Sequence, residues 1–166
     1  MAEVFILVGG NVGDKPKILG QVRKLIRERA GIITRSSSVY ATESWGFKSE
    51  LFWNQVIVIE TKLNPFEMLA CSQGIEHEMG RIRKPIINNE STTYQERTID
   101  IDLLFYNDLI IDTKELTIPH PKIGERRFVL VPLAELAPDK CHPVKGKRIQ
   151  ELLSLCSDQL KVNRID

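Results

Sequence analysis

Two periods of apolar residues alternate along this chain. Residues 4–8 form a continuous apolar run, the pattern of a strand buried on both faces. The glycines of "GGNVGD" at 9–14 break that run. Ile18, Val22, Leu25 and Ile26 then recur at helical spacing, which predicts an amphipathic helix over about 15–29, ended by Gly31. "IITRSSSVYAT" (32–42) is β-rich, and "NQVIVIETKL" (54–63) reads as a central strand. The aromatic-rich stretch 43–52 between them reads as a loop. "NPFE" (64–67) opens a second helix: Asn64 caps it, Pro65 takes the first helical position, and Glu67 reaches back. Gly80 stops it.

A long polar loop, 81–96, precedes "TIDIDLLFY", a strand followed by the turn signal "ND" and by "LIID", which together read as a hairpin. "IPHPKIGERR" (118–127) is a proline-punctuated loop leading into "FVLVPLAEL", and 147–156 reads as a last helix. Strand, helix, strand, strand, helix, strand is the βαββαβ order of a ferredoxin-like α+β domain. The expectation is a largely antiparallel sheet, helices mainly on one face, and one domain spanning 1–166.

The strand "TIDIDLLFY" carries a contradiction. Period two places Ile99, Ile101, Leu103 and Phe105 on one face and Asp100 and Asp102 on the other. Ionised carboxylates are costly to bury unless paired or bound to metal. Same-face neighbours lie about 6.6–6.8 Å apart at Cα, so both carboxylates can converge on magnesium, which takes one or two carboxylates plus waters and phosphate oxygens. The other readings are carboxylates neutralised by Arg97 and other arginines, or carboxylates facing solvent.

Composition adds little to this picture. The chain has 166 residues, 42% hydrophobic and 27% charged, with a net charge of +1, so anion binding must come from local clusters and not from bulk charge. Three cysteines without metal-ligand spacing read as reduced thiols. The first residues lack the basic flank of a signal peptide, and no apolar run reaches the length of a membrane span. A cytoplasmic protein is expected.

Arg81, Arg83 and Lys84 open the long loop, Arg97 closes it, and Arg126 and Arg127 follow "PHP". Guanidinium forks match phosphate oxygens, although each residue alone also reads as solvated surface. "GGNVG" lacks the "GK[ST]" of a phosphate loop and reads better as a tight connection. Gln73 and Glu76 share a helix face. His120 is held between prolines as a phosphate contact or as a capped structural histidine; His77 and His142 show no partner pattern. Phe52 and Asn54 flank Trp53 and share a face, which suits a flat heterocycle, although spacing alone favours core packing.

The blocks "GGNVG", "SSVYAT", "FWNQ", "IEHEMGR", "ERTIDIDLLFY", "IPHP" and "RRFVLVPL", in this order, resemble the 6-hydroxymethyl-7,8-dihydropterin pyrophosphokinases over about residues 4–155. The resemblance implies transfer of diphosphate from ATP to the pterin hydroxymethyl group, with AMP as the other product. Asp100 and Asp102 would hold two magnesium ions, with Arg81 and Arg97 stabilising charge and closing over the phosphates. Gln73, Glu76, Arg83, Arg97, Thr117, His120 and Arg126 would line the ATP site. The pterin would lie between Phe52 and Phe128, with Thr42 and Asn54 on its polar edge, Trp45 nearby and Tyr94 covering it. Gly10, Gln95, Glu96, Glu115 and Pro121 depart from the family pattern. The expected partners are these small molecules, not nucleic acid or membrane, and the expected state is a monomer. Another magnesium-dependent phosphoryl or nucleotidyl transferase is the alternative, as is a non-enzymatic ferredoxin-like nucleic-acid-binding domain, which the acidic pair and near-neutral charge disfavour.

Overall fold

The computed structural model describes residues 1–42, 52–80 and 99–165. Its elements in chain order are β1 (Ala2–Gly10), α1 (Lys15–Arg29), β2 (Gly31–Ser36), β3 (Tyr40–Thr42), β4 (Phe52–Thr61), α2 (Pro65–Glu78), β5 (Asp100–Tyr106), β6 (Ile111–Asp112), β7 (Thr117–Ile118), α3 (Arg127–Leu136), α4 (Ile149–Leu155) and β8 (Val162–Arg164). The main sheet runs β5-β1-β4-β3-β8, with β2 also on β4, and every pairing is antiparallel. Taking β2 and β3 as one interrupted strand, this is the ferredoxin-like order. β4 is central, as its apolar run predicts.

Local chemistry explains the helix ends. Asp14 caps α1 by accepting from the Lys17 N–H at 3.3 Å. Asn64 and Glu67 form the reciprocal capping box of α2, at 2.8 and 2.9 Å. Gly80, just past α2, has φ +111°, a conformation that glycine adopts without steric cost. Gly31 begins β2, and Ala30 is the C-cap of α1.

Each face of the sheet has its own core. Val4, Ile6 and Val8 of β1, Ile57 and Ile59 of β4, and Ile101 and Leu103 of β5 pack with Ile18, Val22 and Ile26 of α1 and Met68 and Ile75 of α2. On the other face, Phe5, Leu7, Val56, Val58, Leu104 and Phe105 pack with Val129, Leu130 and Leu133 of α3 and with Ile149 and Leu152 of α4. Helices mainly on one face therefore describes the βαββαβ core alone; the C-terminal part covers the second face.

Three local expectations change. The first strand continues through Gly9 and Gly10, paired to Asn54 and Trp53, and does not end at Val8. "LIID" does not return along β5: Ile111–Asp112 pairs with Thr117–Ile118 in a separate small sheet. Asn107 (φ +47°) makes the expected turn but bonds to Glu3 near the start of β1. Finally, Phe105 leaves the face of Ile99, Ile101 and Leu103. Phe5 opposes Phe105 while Ile6 opposes Leu103, so Leu104 is an extra residue. This bulge shifts the alternation by one and delivers Leu104 and Phe105 together to the α3–α4 core.

Candidate active site

The bulge leaves Asp100 and Asp102 on the α3–α4 face, where the sheet runs on past the helices. There a cavity of about 230 Å³ opens. Its floor continues the rows of the second core. β1 contributes Leu7, Gly9 and Gly10; β4 contributes Phe52 and Asn54; β5 contributes Asp100 and Asp102; β3 contributes Thr42. The start of α3 supplies Arg126 and Phe128, and Leu160 enters from the C-terminal segment.

Register brings these groups together. Asp100 faces Gly9, which faces Asn54, which faces Tyr40 across three pairings. Gly9 is needed for its lack of a side chain. A Cβ there would collide with Asn54 Oδ1 and lie 3.0 Å from the Trp53 carbonyl oxygen. The sequence reading of "GGNVG" as a connection thus misses its first glycine, which makes room for the Asn54 amide. Arg126 lies with its guanidinium 5.7 Å from the Phe128 ring centroid, a cation–π contact that orients both at the cavity lip.

Asp100 and Asp102 are only half-buried, so the cavity relieves the burial cost that their strand pattern raises. β5 is an edge strand beside α2, and Glu76 serves that edge. Its carboxylate is buried and accepts from the Ile101 N–H, between the two aspartates, at 2.8 Å. Gln73 lies exposed on the same helix. Thr117 is in β7, and three residues on, His120 donates its backbone N–H to the Leu104 carbonyl at 3.0 Å. His120 Nδ1 accepts from the Lys122 N–H at 3.1 Å, so the neutral ring carries its proton on Nε2. Burial lowers its pKa from the ordinary value, the Asp102 charge opposes that shift, and Arg126 and Lys122 reinforce it. His120 is therefore a neutral donor set among an acid and a base.

Of the residues singled out in the sequence, Thr42, Phe52, Asn54, Asp100, Asp102, Arg126 and Phe128 line this one cavity. His120 adjoins it electrostatically through Asp102 and Arg126. Trp45, Arg81, Arg83, Tyr94 and Arg97 lie outside the described residues. Leu7 and Leu160 are lining residues that the sequence does not flag: an apolar residue in a strand and one in a tail carry no chemical signature. His142 proves structural. It is buried, and its Nδ1 accepts from the Val144 and Lys145 N–H groups at 3.2 and 3.1 Å. Trp53, between Phe52 and Asn54, is wholly buried in the α1–α2 core.

Among the described residues no group of three or more His, Cys, Asp or Glu side chains could hold a metal ion. The two aspartates are a partial set, suited to a cation whose remaining ligands are waters and phosphate oxygens. No helix among the described residues is long and apolar enough to cross a membrane.

The arrangement has relatives. The chain is 40% identical over 134 residues to the 2-amino-4-hydroxy-6-hydroxymethyldihydropteridine pyrophosphokinase of Bacillus subtilis, covering 80% of this chain and 76% of that one. It is 38% identical over 153 residues to the protein of the same name from Aquifex aeolicus, covering 91% and 90%. In fold it is similar to the crystal structure of Plasmodium falciparum HPPK-DHPS wild type with SDX-DHP, at a TM-score of 0.71 and 17% identity over 93% of this chain. This chain spans 43% of that longer one. A sequence model of one family matches residues 5–138, which run from within β1 to just past α3 and hold every cavity-lining group except Leu160; the chain belongs to the 7,8-dihydro-6-hydroxymethylpterin-pyrophosphokinase (HPPK) family.

Proposed function

We propose that this chain transfers the terminal diphosphate of ATP to the hydroxymethyl group of 6-hydroxymethyl-7,8-dihydropterin, in folate biosynthesis. The pterin hydroxyl oxygen bonds to the β-phosphorus, the bond from that phosphorus to the α–β bridging oxygen breaks, AMP leaves with that oxygen, and the hydroxyl proton is released. Family membership supports the reaction. The observation that carries the site assignment is that one cavity is lined by two kinds of group: Phe52 and Phe128 with the Asn54 and Thr42 polar groups, and Asp100 and Asp102 with Arg126. A flat heterocycle needs the first set, and a metal–polyphosphate needs the second.

The pterin stacks between Phe52 and Phe128 and uses Asn54 and Thr42 for its amide edge, with Trp45 and Tyr94 completing its cover. Asp100 and Asp102 hold magnesium, two ions as in the family pattern. Bound there, magnesium supplies charge neutralisation on the phosphate oxygens. Glu76 keeps β5, and with it both aspartates, at a fixed height along the sheet edge. His120 Nε2 and Arg126 donate to phosphate oxygens, and Gln73, Arg83 and Thr117 serve the nucleotide. Arg81 and Arg97 stabilise the charge that moves onto the departing AMP. Positioning and electrostatics carry the catalysis. The chain acts as one domain and as a cytoplasmic monomer, in keeping with its free cysteines.

The test is a product assay with ATP, magnesium and the dihydropterin. AMP formed one-for-one with pterin diphosphate supports the reading. ADP as the product assigns a simple kinase instead, and absence of turnover by folded protein overturns it.

A further inference from the structure

The family match ends at residue 138, yet the cavity does not close there. α3, whose first turn carries Phe128, begins without a capping bond from the side chain of its own N-cap residue, Arg126. The missing partner comes from 31 positions away. Asp158 Oδ2 accepts from the Arg127 N–H at 3.0 Å. The same carboxylate's Oδ1 accepts from the Leu160 N–H at 3.0 Å. One side chain thus ties the start of α3 to the segment that carries Leu160, and Leu160 lines the cavity with Phe128. Two residues on, β8 pairs Val162 with Thr42, another lining residue, so the segment is fixed at its far end as well.

We propose that the segment after α4 completes the pterin pocket: Leu160 forms part of its apolar wall, and Asp158 is the positioning residue that sets Leu160 and Phe128 relative to each other. An ionised carboxylate is the fitting group, because it accepts two N–H bonds on separate oxygens while complementing a helix N-terminus. An amide has a single acceptor oxygen and cannot reproduce both bonds. The inference rests on the pterin assignment above.

Three variants test it: Leu160→Ala, Leu160→Met and Asp158→Asn, each measured for KM of pterin, KM of ATP and kcat, and for binding of the pterin substrate alone by its fluorescence. Leu160→Ala should raise the pterin KM and dissociation constant about tenfold, the usual effect of removing a few methylenes from a pocket, while the ATP KM stays within twofold. Leu160→Met should restore most of that loss. Asp158→Asn should raise the same two pterin quantities about fivefold, as for one lost hydrogen bond. A purely structural tail would lower Tm without separating pterin from ATP. Unchanged pterin binding in Leu160→Ala, with wild-type turnover intact, overturns this inference alone. Wild-type protein that binds no pterin overturns the site reading beneath it, and this inference with it.

Discussion

One face of one sheet does two different jobs in this protein. Under α3 and α4 it presents Phe5, Leu7, Val56, Val58, Leu104 and Phe105, and it is dry. A few residues along the same strands it presents Gly9, Asn54, Phe52, Asp100 and Asp102, and it is a cavity. Strand geometry is the same in both halves. What differs is whether a helix covers the row. Where the helices cover it, apolar side chains gain from leaving water, by roughly 1.5–3 kcal/mol for each large one. Where α3 begins, cover stops, Asp100 and Asp102 stay half-exposed, and the row opens as a cavity. Leu7 and Phe128 stand at that boundary and belong to both halves.

Substitutions should separate the two halves. The largest effect is expected from Asp102→Ala: turnover falls by about a thousandfold or more, in line with removal of a principal electrostatic group, while circular dichroism and Tm stay near wild type. Substantial residual activity would sink the metal assignment. In the covered half, Leu130→Ala should cost about 2–5 kcal/mol in denaturant unfolding and leave the KM of pterin unchanged in the folded fraction. A selective rise in that KM would mean that the two halves are not separable. Gly9→Ala probes the seam. Its Cβ displaces the Asn54 amide, so pterin affinity should fall about tenfold with little change in ATP affinity; equal losses for both ligands would argue against the Asn54 role.

The smallest effect concerns pH and the covered half. Burial first, and the Lys145 charge second, hold the pKa of His142 below its ordinary 6.5. The unfolded chain therefore binds more protons than the folded one below that value. The stability contribution is complete above pH 6.5 and is lost as pH falls through the folded pKa. Thermal melts across that window should decline toward acid. His142→Asn keeps an acceptor for the two backbone N–H groups and should flatten the decline; an unchanged slope would assign it elsewhere.

The strands and helices of the βαββαβ core are legible because each obeys a local rule: helical spacing in α1, the capping box of α2, the apolar run of β4. α3 is not legible in the same way. Val129, Val131 and Pro132 all argue against a helix, and burial of Val129, Leu130 and Leu133 against the sheet overrides them. The hairpin reading after β5 fails for a related reason. A turn signal at Asn107 specifies a turn, not the partner of the strand that follows it.

The sequence by itself determined the chemistry available: two aspartates on one strand face, an aromatic and an amide two apart on another, arginines and a proline-held histidine downstream. These follow from period two and from functional groups, both local. Only the tertiary structure decided where they meet. The bulge at Leu104 brings Phe105 onto the face that Asp100, Asp102 and Leu104 share, the bare Cα of Gly9 admits Asn54, and Asp158 binds the start of α3 to a tail 31 residues later. Each depends on contacts between distant segments, and the free energy of such contacts is fixed by packing and burial, which no local pattern encodes.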